Sequence, residues 1–332
     1  MFAYIARRLL MMIPTLILIS ILVFVIIQLP PGDYLTTQLA ELAAQGEAAS
    51  QAKIEFLRAE YGLDLPLWEQ YIRWASGLLV GDLGYSFEYQ LPVAEVVGDR
   101  LWLTMLVSFA TIIFSYAVAF PIGIYGAIRQ YSALDHGLTL VGFLGLATPN
   151  FLLALVLLYL SNIWFGTSIG GLMDPEYLDQ PLSWAKFLSV MEHLWVPVVV
   201  IGTSNTAGMI RRLRANLLDE LRKQYVTTAR AKGLHPAKIL VKYPLRMALN
   251  PFIADLGNVL PQVVSGAAIV SVVLSLPTTG PMLLRALQTQ DMYLAGSFLM
   301  FMALLTVIGV LVSDLLLALL DPRIRLDGGR SR

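Results

Sequence analysis

The chain has 332 residues, of which 57% are hydrophobic and 14% charged, and its mean hydropathy is +0.69. This composition is far more apolar than that of a soluble globular domain, and it indicates a protein that resides in a lipid bilayer. The formal net charge is zero, which argues against a nucleic-acid partner, and the lack of cysteine excludes disulfides and thiolate metal sites.

The N-terminal region, residues 1–32, is predicted to be a short cytoplasmic foot followed by the first transmembrane helix. Arg7 and Arg8 lie in the foot, and the uncharged run from Leu9 to Gly32 is long enough to cross a bilayer. A cleaved signal peptide is the alternative. The run is longer than a usual signal core, however, and it ends in Pro-Pro-Gly rather than in a small-x-small cleavage site.

Residues 33–100 form an acidic segment that is predicted to lie outside the cell. It contains eleven Asp and Glu residues against four Lys and Arg. Its Ala-, Glu- and Gln-rich part is predicted to form one or two surface helices. A further helix is predicted from apolar and aromatic side chains at helical spacing, namely Leu67, Trp68, Tyr71, Ile72, Trp74 and Ala75.

Residues 101–320 are predicted to contain five more transmembrane helices, because five uncharged runs each hold at least about 18 residues. These runs are Leu101–Ile128, Gly137–Ile163, His193–Ile210, Leu256–Leu284 and Met292–Ser313. Six spans place seventeen of the 23 Lys and Arg residues on one side, which the positive-inside rule assigns to the cytoplasm. The fold class is therefore an all-α membrane protein with six transmembrane helices and cytoplasmic N and C termini, ending in a cytoplasmic tail, residues 321–332.

Two of the predicted spans contain polar positions. Thr148-Pro149-Asn150 interrupts the third span, where the proline predicts a kink that serves packing between helices. The fifth span carries a polar stripe on one helical face, made of Asp255, Asn258, Gln262, Ser265 and Gly266. Such a stripe either hydrogen-bonds to a neighbouring helix or lines a wet path, and Asp255 could also pair with a nearby basic residue.

The most basic stretch, residues 211–250, lies between two predicted spans and holds ten of the 23 Lys and Arg residues. It is predicted to contain a short helix from Tyr225 to Lys232 that ends at Gly233, because glycine suits the left-handed position after a helix end. Pro236 favours the first turn of a second helix, which runs to about Leu249 and bends at Pro244. A merely solvated basic loop is the alternative interpretation.

The run Thr228-Ala-Arg-Ala-Lys-Gly233-Leu resembles the "EAA" loop of binding-protein-dependent ABC-importer permeases of the dipeptide/oligopeptide branch. The Pro31-Gly32-Asp33 turn and the ending Leu319-Leu-Asp-Pro-Arg-Ile-Arg325 resemble the same family, so the resemblance covers essentially the whole chain. Two departures, at 271–274 and 277–280, bear on the identity of the solute rather than on the family.

The resemblance implies the type I ABC importer permease fold in a multi-pass protein of the bacterial inner membrane. It also implies the partners: a homologous second permease subunit, two P-loop ATPase subunits and an external solute-binding protein. The acidic segment's aromatic helix would then either lie on the outer leaflet or contact that binding protein. The residues expected to couple this chain to the ATPases are Arg222, Tyr225, Thr228, Ala229, Arg230, Ala231, Lys232, Gly233 and Leu234. The residues expected to line the translocation path are Asn258, Gln262, Ser265 and Gly266.

The chain is predicted to be non-catalytic and to bind no cofactor or metal itself. It lacks the Gly-x-x-x-x-Gly-Lys-[Ser/Thr] phosphate loop, so ATP and Mg would be bound by the ATPase subunits. Its three histidines lie in different segments without metal-ligand spacing. The resemblance implies di- or oligopeptides as cargo, with oligosaccharides, opines or nickel as alternatives. A secondary transporter is a competing class, which would need ionisable groups near the membrane midplane.

Overall fold

The computed structural model describes residues 2–29, 34, 56, 59, 62–165, 170–177, 180 and 183–320. Within these ranges the regular secondary structure is helical, apart from one two-stranded hairpin. The Ala-, Glu- and Gln-rich part that is predicted to form surface helices lies almost wholly outside the described residues, as do the Pro31-Gly32-Asp33 turn and the tail 321–332. The chain divides into two compact units, which are Met1–Leu103 with Thr278–Ile308, and Thr104–Pro277 with Gly309–Arg332.

The first unit contains α1 (Phe2–Gln28), α2 (Leu67–Val80), a hairpin of β1 (Tyr85–Ser86) and β2 (Leu91–Pro92), and α12 (Thr279–Gln288). The start of α3 (Val93–Ile128) and the start of α13 (Met292–Leu320) complete it. In the hairpin, Tyr85 pairs with Pro92 in antiparallel register. The predicted helix around Trp68 is thus confirmed as α2.

The second unit contains the rest of α3, α4 (Ala133–Ala147), α5 (Asn150–Phe165), a 3₁₀ turn at Pro175–Tyr177 and α6 (Trp184–Leu221). Three short helices follow, α7 (Gln224–Ala231), α8 (Pro236–Lys242) and α9 (Pro244–Ala248). Two further helices of this unit are α10 (Asn250–Gly266) and α11 (Ala268–Val273). The central helix is α6, against which α4, α5 and α9 pack.

Four helices of the described chain are long and apolar enough to cross a membrane: Ile5–Gln28 within α1, then α3, α6 and Met292–Leu317 within α13. The number rises to five if the bent pair α4 and α5 counts as one span. The six spans predicted from the uncharged runs are therefore not all recovered as continuous helices.

The predicted third span is divided rather than kinked, since α4 and α5 meet at an angle of 100°. Thr148, the residue between Ala147 and Pro149, has the extended backbone (φ −84°, ψ 121°) that proline imposes on its predecessor. Pro149 also has no N–H to continue the helical ladder. A single proline therefore separates the span into two helices.

The predicted fifth span, Leu256–Leu284, is also divided. Ala267 keeps a right-handed helical backbone, so α11 follows α10 almost without interruption. The helical path stops at Leu274, where Ser275 has a positive φ of 54° and the Leu276 amide donates to the Ser271 carbonyl at 2.8 Å. This hydrogen bond closes the helix end before Pro277, and α12 is a separate element.

In α2 the predicted apolar stripe is distributed over two sides of the helix. Trp74 is only 3% exposed and its indole N–H lies 3.4 Å from the Ser297 hydroxyl, whereas Leu67, Trp68 and Ile72 are more than half exposed. Each residue turns the helix by about 100°, so a stripe that includes both Ile72 and Trp74 covers more than one face. The buried side packs in the core of the first unit, with Phe24, Phe87 and Phe298 among others.

The fully buried Asp291 anchors the hairpin of the first unit to the start of α13. Its carboxylate accepts hydrogen bonds from the Ser86 hydroxyl (2.6 Å), the Glu88 amide (3.1 Å) and the Leu294 amide (3.2 Å). Burial raises the pKa of this carboxyl, and these hydrogen bonds partly oppose the shift. The hydrogen bonds therefore offset the cost of placing the carboxyl among apolar side chains.

We predict that Asp291→Ala lowers the free energy of unfolding by about 2 kcal/mol, because it leaves buried donors without an acceptor. Glu95→Ala is the matched control, since Glu95 is an exposed carboxylate in the first turn of α3. Both variants are compared in detergent by thermal unfolding followed through tryptophan fluorescence. Equal midpoints for the two variants would contradict the anchoring role.

Candidate functional site

The segment that follows α6 has the predicted order of helix, glycine turn and helix. Just after α7 the Gly233 backbone has φ +73°, and the Leu234 amide donates to the Ala229 carbonyl at 3.3 Å, which closes the helix end. Pro236 is the first residue of α8, and the chain bends at Tyr243 (φ −119°, ψ −81°) before Pro244 begins α9. The glycine-terminated helix and the bend at Pro244 are both confirmed. We call residues 222–249 the coupling segment.

The coupling segment has a small apolar core of its own. Val226, Ala229 and Ile239 are buried there, and Leu234 and Tyr243 pack against them. Ala229 lies three residues after Val226, on the same face of α7, and is only 5% exposed. Within this chain the side chain of Ala229 faces α8, and the expectation that Ala229 takes part in coupling to an ATPase stays a prediction.

The other predicted coupling residues lie on the outside of the segment or at its edge. Leu234 is half-buried, while seven residues are exposed: Arg222, Tyr225, Thr228, Arg230, Ala231, Lys232 and Gly233. Arginine is enriched in interfaces between proteins, so the exposed Arg222 and Arg230 suit contact with another protein. The exposed side chains available for such a contact are therefore those of Ala231, of its charged neighbours, and of Tyr225 and Thr228.

Tyr225 joins the coupling segment to the end of α6. Its hydroxyl donates a hydrogen bond to the Glu220 carboxylate, and its ring lies 6.3 Å from that of Tyr243. Burial and this hydrogen bond raise the pKa of the Tyr225 hydroxyl, so it stays protonated and remains a donor. Sequence reasoning had placed Tyr225 on the docking surface and missed this internal role.

Two arginines near the end of α6 make ion pairs with different helices. Arg214 donates to the buried Asp135 of α4 at 2.8 Å, and the Tyr131 amide donates to the same carboxylate at 2.9 Å. Arg212 pairs with Asp255 of α10. Residues two positions apart in a helix point in directions that differ by about 200°, so the two arginines reach neighbours on opposite sides of α6. The predicted pairing of Asp255 with a nearby basic residue is confirmed.

A cavity of about 340 Å³ lies beside the Arg212–Asp255 pair, with walls from α3, α6 and α10. Its lining comprises Ile112, Ser115, Tyr116, Ser204, Asn205, Gly208, Met209, Arg212, Asp255, Val259, Gln262 and Val263. Of the predicted path residues, Gln262 is in this lining and the half-buried Asn258 is not. The side chains of Ser265 and Gly266 lie outside the described part of the chain.

Sequence reasoning missed the polar side chains that α3 and α6 contribute to this cavity. Ser115-Tyr116 and Ser204-Asn205 are adjacent polar pairs inside otherwise apolar runs, which is the signal that could have found them. The polar stripe of α10 therefore has counterparts on two other helices of the same unit.

Comparison with known proteins identifies the family to which these features belong. Residues 119–326 match the binding-protein-dependent transport system inner membrane component, and residues 1–108 match the N-terminal part of the membrane component of such systems. The chain belongs to this family. A member of this family is a membrane component of a transport system rather than a catalytic one.

Several relatives in the family align with nearly the whole chain. The oligopeptide transport system permease protein AppB of Bacillus subtilis is 34% identical, and the dipeptide transport system permease protein DppB of Escherichia coli is 31% identical. The di/tripeptide transport system permease protein DppB of Pseudomonas aeruginosa is 30% identical. Each alignment covers 98% of this chain and 99% of the relative.

The different placement of the two alanines gives a prediction about the coupling segment. Ala229→Leu should overpack the core around Ile239 and lower the free energy of unfolding by about 1–3 kcal/mol. Ala231→Leu, the same change on the exposed side two residues later, should leave the unfolding midpoint unchanged. Thermal unfolding of both purified variants tests this, and equal destabilisation by the two changes would contradict the placement of Ala229.

Proposed function

We propose that this chain is one permease subunit of an ATP-driven, binding-protein-dependent importer of di- or oligopeptides. The observation that carries the proposal is the full-length similarity to three permeases whose names specify oligopeptides, dipeptides and di/tripeptides. The other subunits would be a homologous second permease, two P-loop ATPases that bind ATP and Mg, and an external solute-binding protein. No feature of the described residues favours oligosaccharides, opines or nickel.

The proposed topology has six spans in a bacterial inner membrane, with both termini in the cytoplasm. The bent pair α4 and α5 would form the third span, and α10 with α11 would form the fifth. The continuous helical backbone at Ala267 supports the second of these assignments. The excess of Lys and Arg in the coupling segment and α6 supports its cytoplasmic location.

The proposed mechanism uses the exposed face of α7 as the contact with an ATPase. Closure of the ATPase pair would move α7, and the Tyr225–Glu220 hydrogen bond would carry the movement to α6. From α6 the two arginine ion pairs would carry it to α4 and to α10, which forms a wall of the cavity. The spans would thereby switch between inward-facing and outward-facing states.

The cargo is tested by isolating the external binding protein that activates the complex and identifying its bound solute by mass spectrometry. We expect short peptides, and we expect the reconstituted complex to import a labelled dipeptide only with ATP. A binding protein that carries an oligosaccharide, an opine or nickel would contradict the peptide assignment. Uptake driven by a proton or sodium gradient without ATP would contradict the whole class.

The turn at Gly233 gives a test of the coupling role. Among the described residues, no atom beyond the two chain neighbours lies within 4 Å of the position that a Cβ would take, so a substitution costs backbone strain rather than a steric clash. Valine at φ +73° costs about 1–2 kcal/mol or else redirects α8. We expect Gly233→Val to insert in the membrane and assemble weakly or not at all with the ATPases, with loss of uptake.

The control is His235→Ala, since His235 is exposed and its side chain caps no helix. This variant should retain normal uptake and normal solute-stimulated ATP hydrolysis. If Gly233→Val retained both activities, α7 would not be the ATPase contact.

A further inference from the structure

Three uncharged polar side chains of the cavity have hydrogen-bonding capacity that the protein does not use. Within the described residues, the Tyr116 hydroxyl and the amides of Asn205 and Gln262 have no hydrogen-bond partner. Asn205 and Gln262 are exposed, and Tyr116 is half-buried. If these groups served packing between helices they would be paired with one another, because unpaired polar groups are costly in a membrane protein.

The charged pair of the cavity also has unused capacity. Arg212 donates to Asp255 through Nη1 alone, so its other guanidinium N–H groups and the Asp255 Oδ1 have no partner among the described residues. Arg212 is held in place by the ring of Phe252, at 4.5 Å from its centroid. Both side chains are about 40% exposed, at 43% and 41%. The site therefore offers one cationic and one anionic group, with no net charge.

The rest of the lining is mostly apolar and adaptable, with Ile112, Met209, Val259 and Val263. Its two serines, Ser115 and Ser204, are already hydrogen-bonded, to the Gly202 carbonyl and the Asn150 amide. Flexible methionine and aliphatic side chains accept varied shapes without selecting one. At about 340 Å³ the cavity is near the lower end of small-molecule sites, which suits a short solute.

We infer that this cavity is a transit site for short zwitterionic peptides. Arg212 meets the terminal carboxylate and Asp255 the terminal ammonium, while Tyr116, Asn205 and Gln262 hydrogen-bond to the peptide main chain. The inference rests on the proposed function, and it deepens that function by naming how the path accepts peptides irrespective of their side chains. Half-exposed charged side chains bind an oppositely charged group only weakly in water. Weak binding suits a transit site, which must release its solute.

The chemistry of the lining argues against the other cargoes. A nickel site needs a cluster of His, Cys or carboxylate ligands, and the described residues contain no group of three that could hold a metal ion. Among the described lining residues Tyr116 supplies the one aromatic ring, which is a small surface for stacking a sugar. An opine carries more carboxylates than amines. The lining would offer it one cation, Arg212, whose charge is already balanced by Asp255.

The absence of cysteine from the chain allows a direct test. Single Asn205→Cys and Gln262→Cys variants of the complete complex are treated with a cationic, water-soluble methanethiosulfonate reagent. The matched control is Ile113→Cys, because Ile113 is 67% exposed and adjacent to Ile112 but lies outside the cavity. We expect both cavity cysteines to react about tenfold faster than the control, since a wet site favours the reactive thiolate.

The probe for the ligand is dialanine, compared with the same dipeptide acetylated and amidated at its ends. We expect saturating dialanine to slow modification of Gln262→Cys severalfold and the blocked dipeptide to leave the rate unchanged. Combining Gln262→Cys with Arg212→Gln and Asp255→Asn, which remove both charges and leave polar side chains, should abolish the protection. If this combination does not assemble, the comparison of the two dipeptides on Gln262→Cys alone decides.

The outcomes separate this inference from the proposed function. If the complex imports dipeptides with ATP but dialanine and its blocked form protect equally or not at all, the transit site is wrong and the importer assignment stands. If the complex imports no peptide, the proposed cargo itself is wrong. Equal reactivity of Ile113→Cys and the cavity cysteines would show that the lining is not a distinct wet site.

Discussion

The ion pairs of Arg212 and Arg214 are the interactions on which the rest of the second unit depends. They join α6 to α10 on one side and to α4 on the other, within one helical turn of each other. A charge near a membrane is costly unless it is paired. Each arginine therefore fixes which helix packs beside it, α10 for Arg212 and α4 for Arg214. Leu213 and Leu217 of α6 also pack with Phe252 of α10 in one buried apolar cluster.

The same arrangement connects the coupling segment with the cavity. Tyr225 ties α7 to the last turn of α6, and the Arg212–Asp255 pair lies in the cavity lining itself. A displacement of α7 therefore reaches the cavity wall through two side-chain contacts and one helix. Close packing favours rigid movement of such an assembly over gradual deformation, which is what a two-state transporter needs.

Local signals in the sequence predicted the elements well, and long-range contacts account for the errors. The turn at Gly233, the start at Pro236 and the bend at Pro244 follow from the chemistry of glycine and proline, and all three are confirmed. Hydropathy could not distinguish a kinked span from the 100° break at Pro149, because an apolar run is equally apolar in both. The inward orientation of Ala229 depends on Ile239, ten residues away, and helical spacing alone does not reveal it.

The central claim is that α6 and the coupling segment move as one body when ATP is bound. Spin labels on Ala215→Cys in α6 and Thr227→Cys in α7 measure this directly, because both positions are exposed and the chain has no other cysteine. Pulsed electron resonance on the assembled complex would give the distance between the labels without nucleotide and in an ATP-trapped state. The account predicts the same narrow distance distribution in both states. A shift of α7 relative to α6 on ATP binding would contradict it.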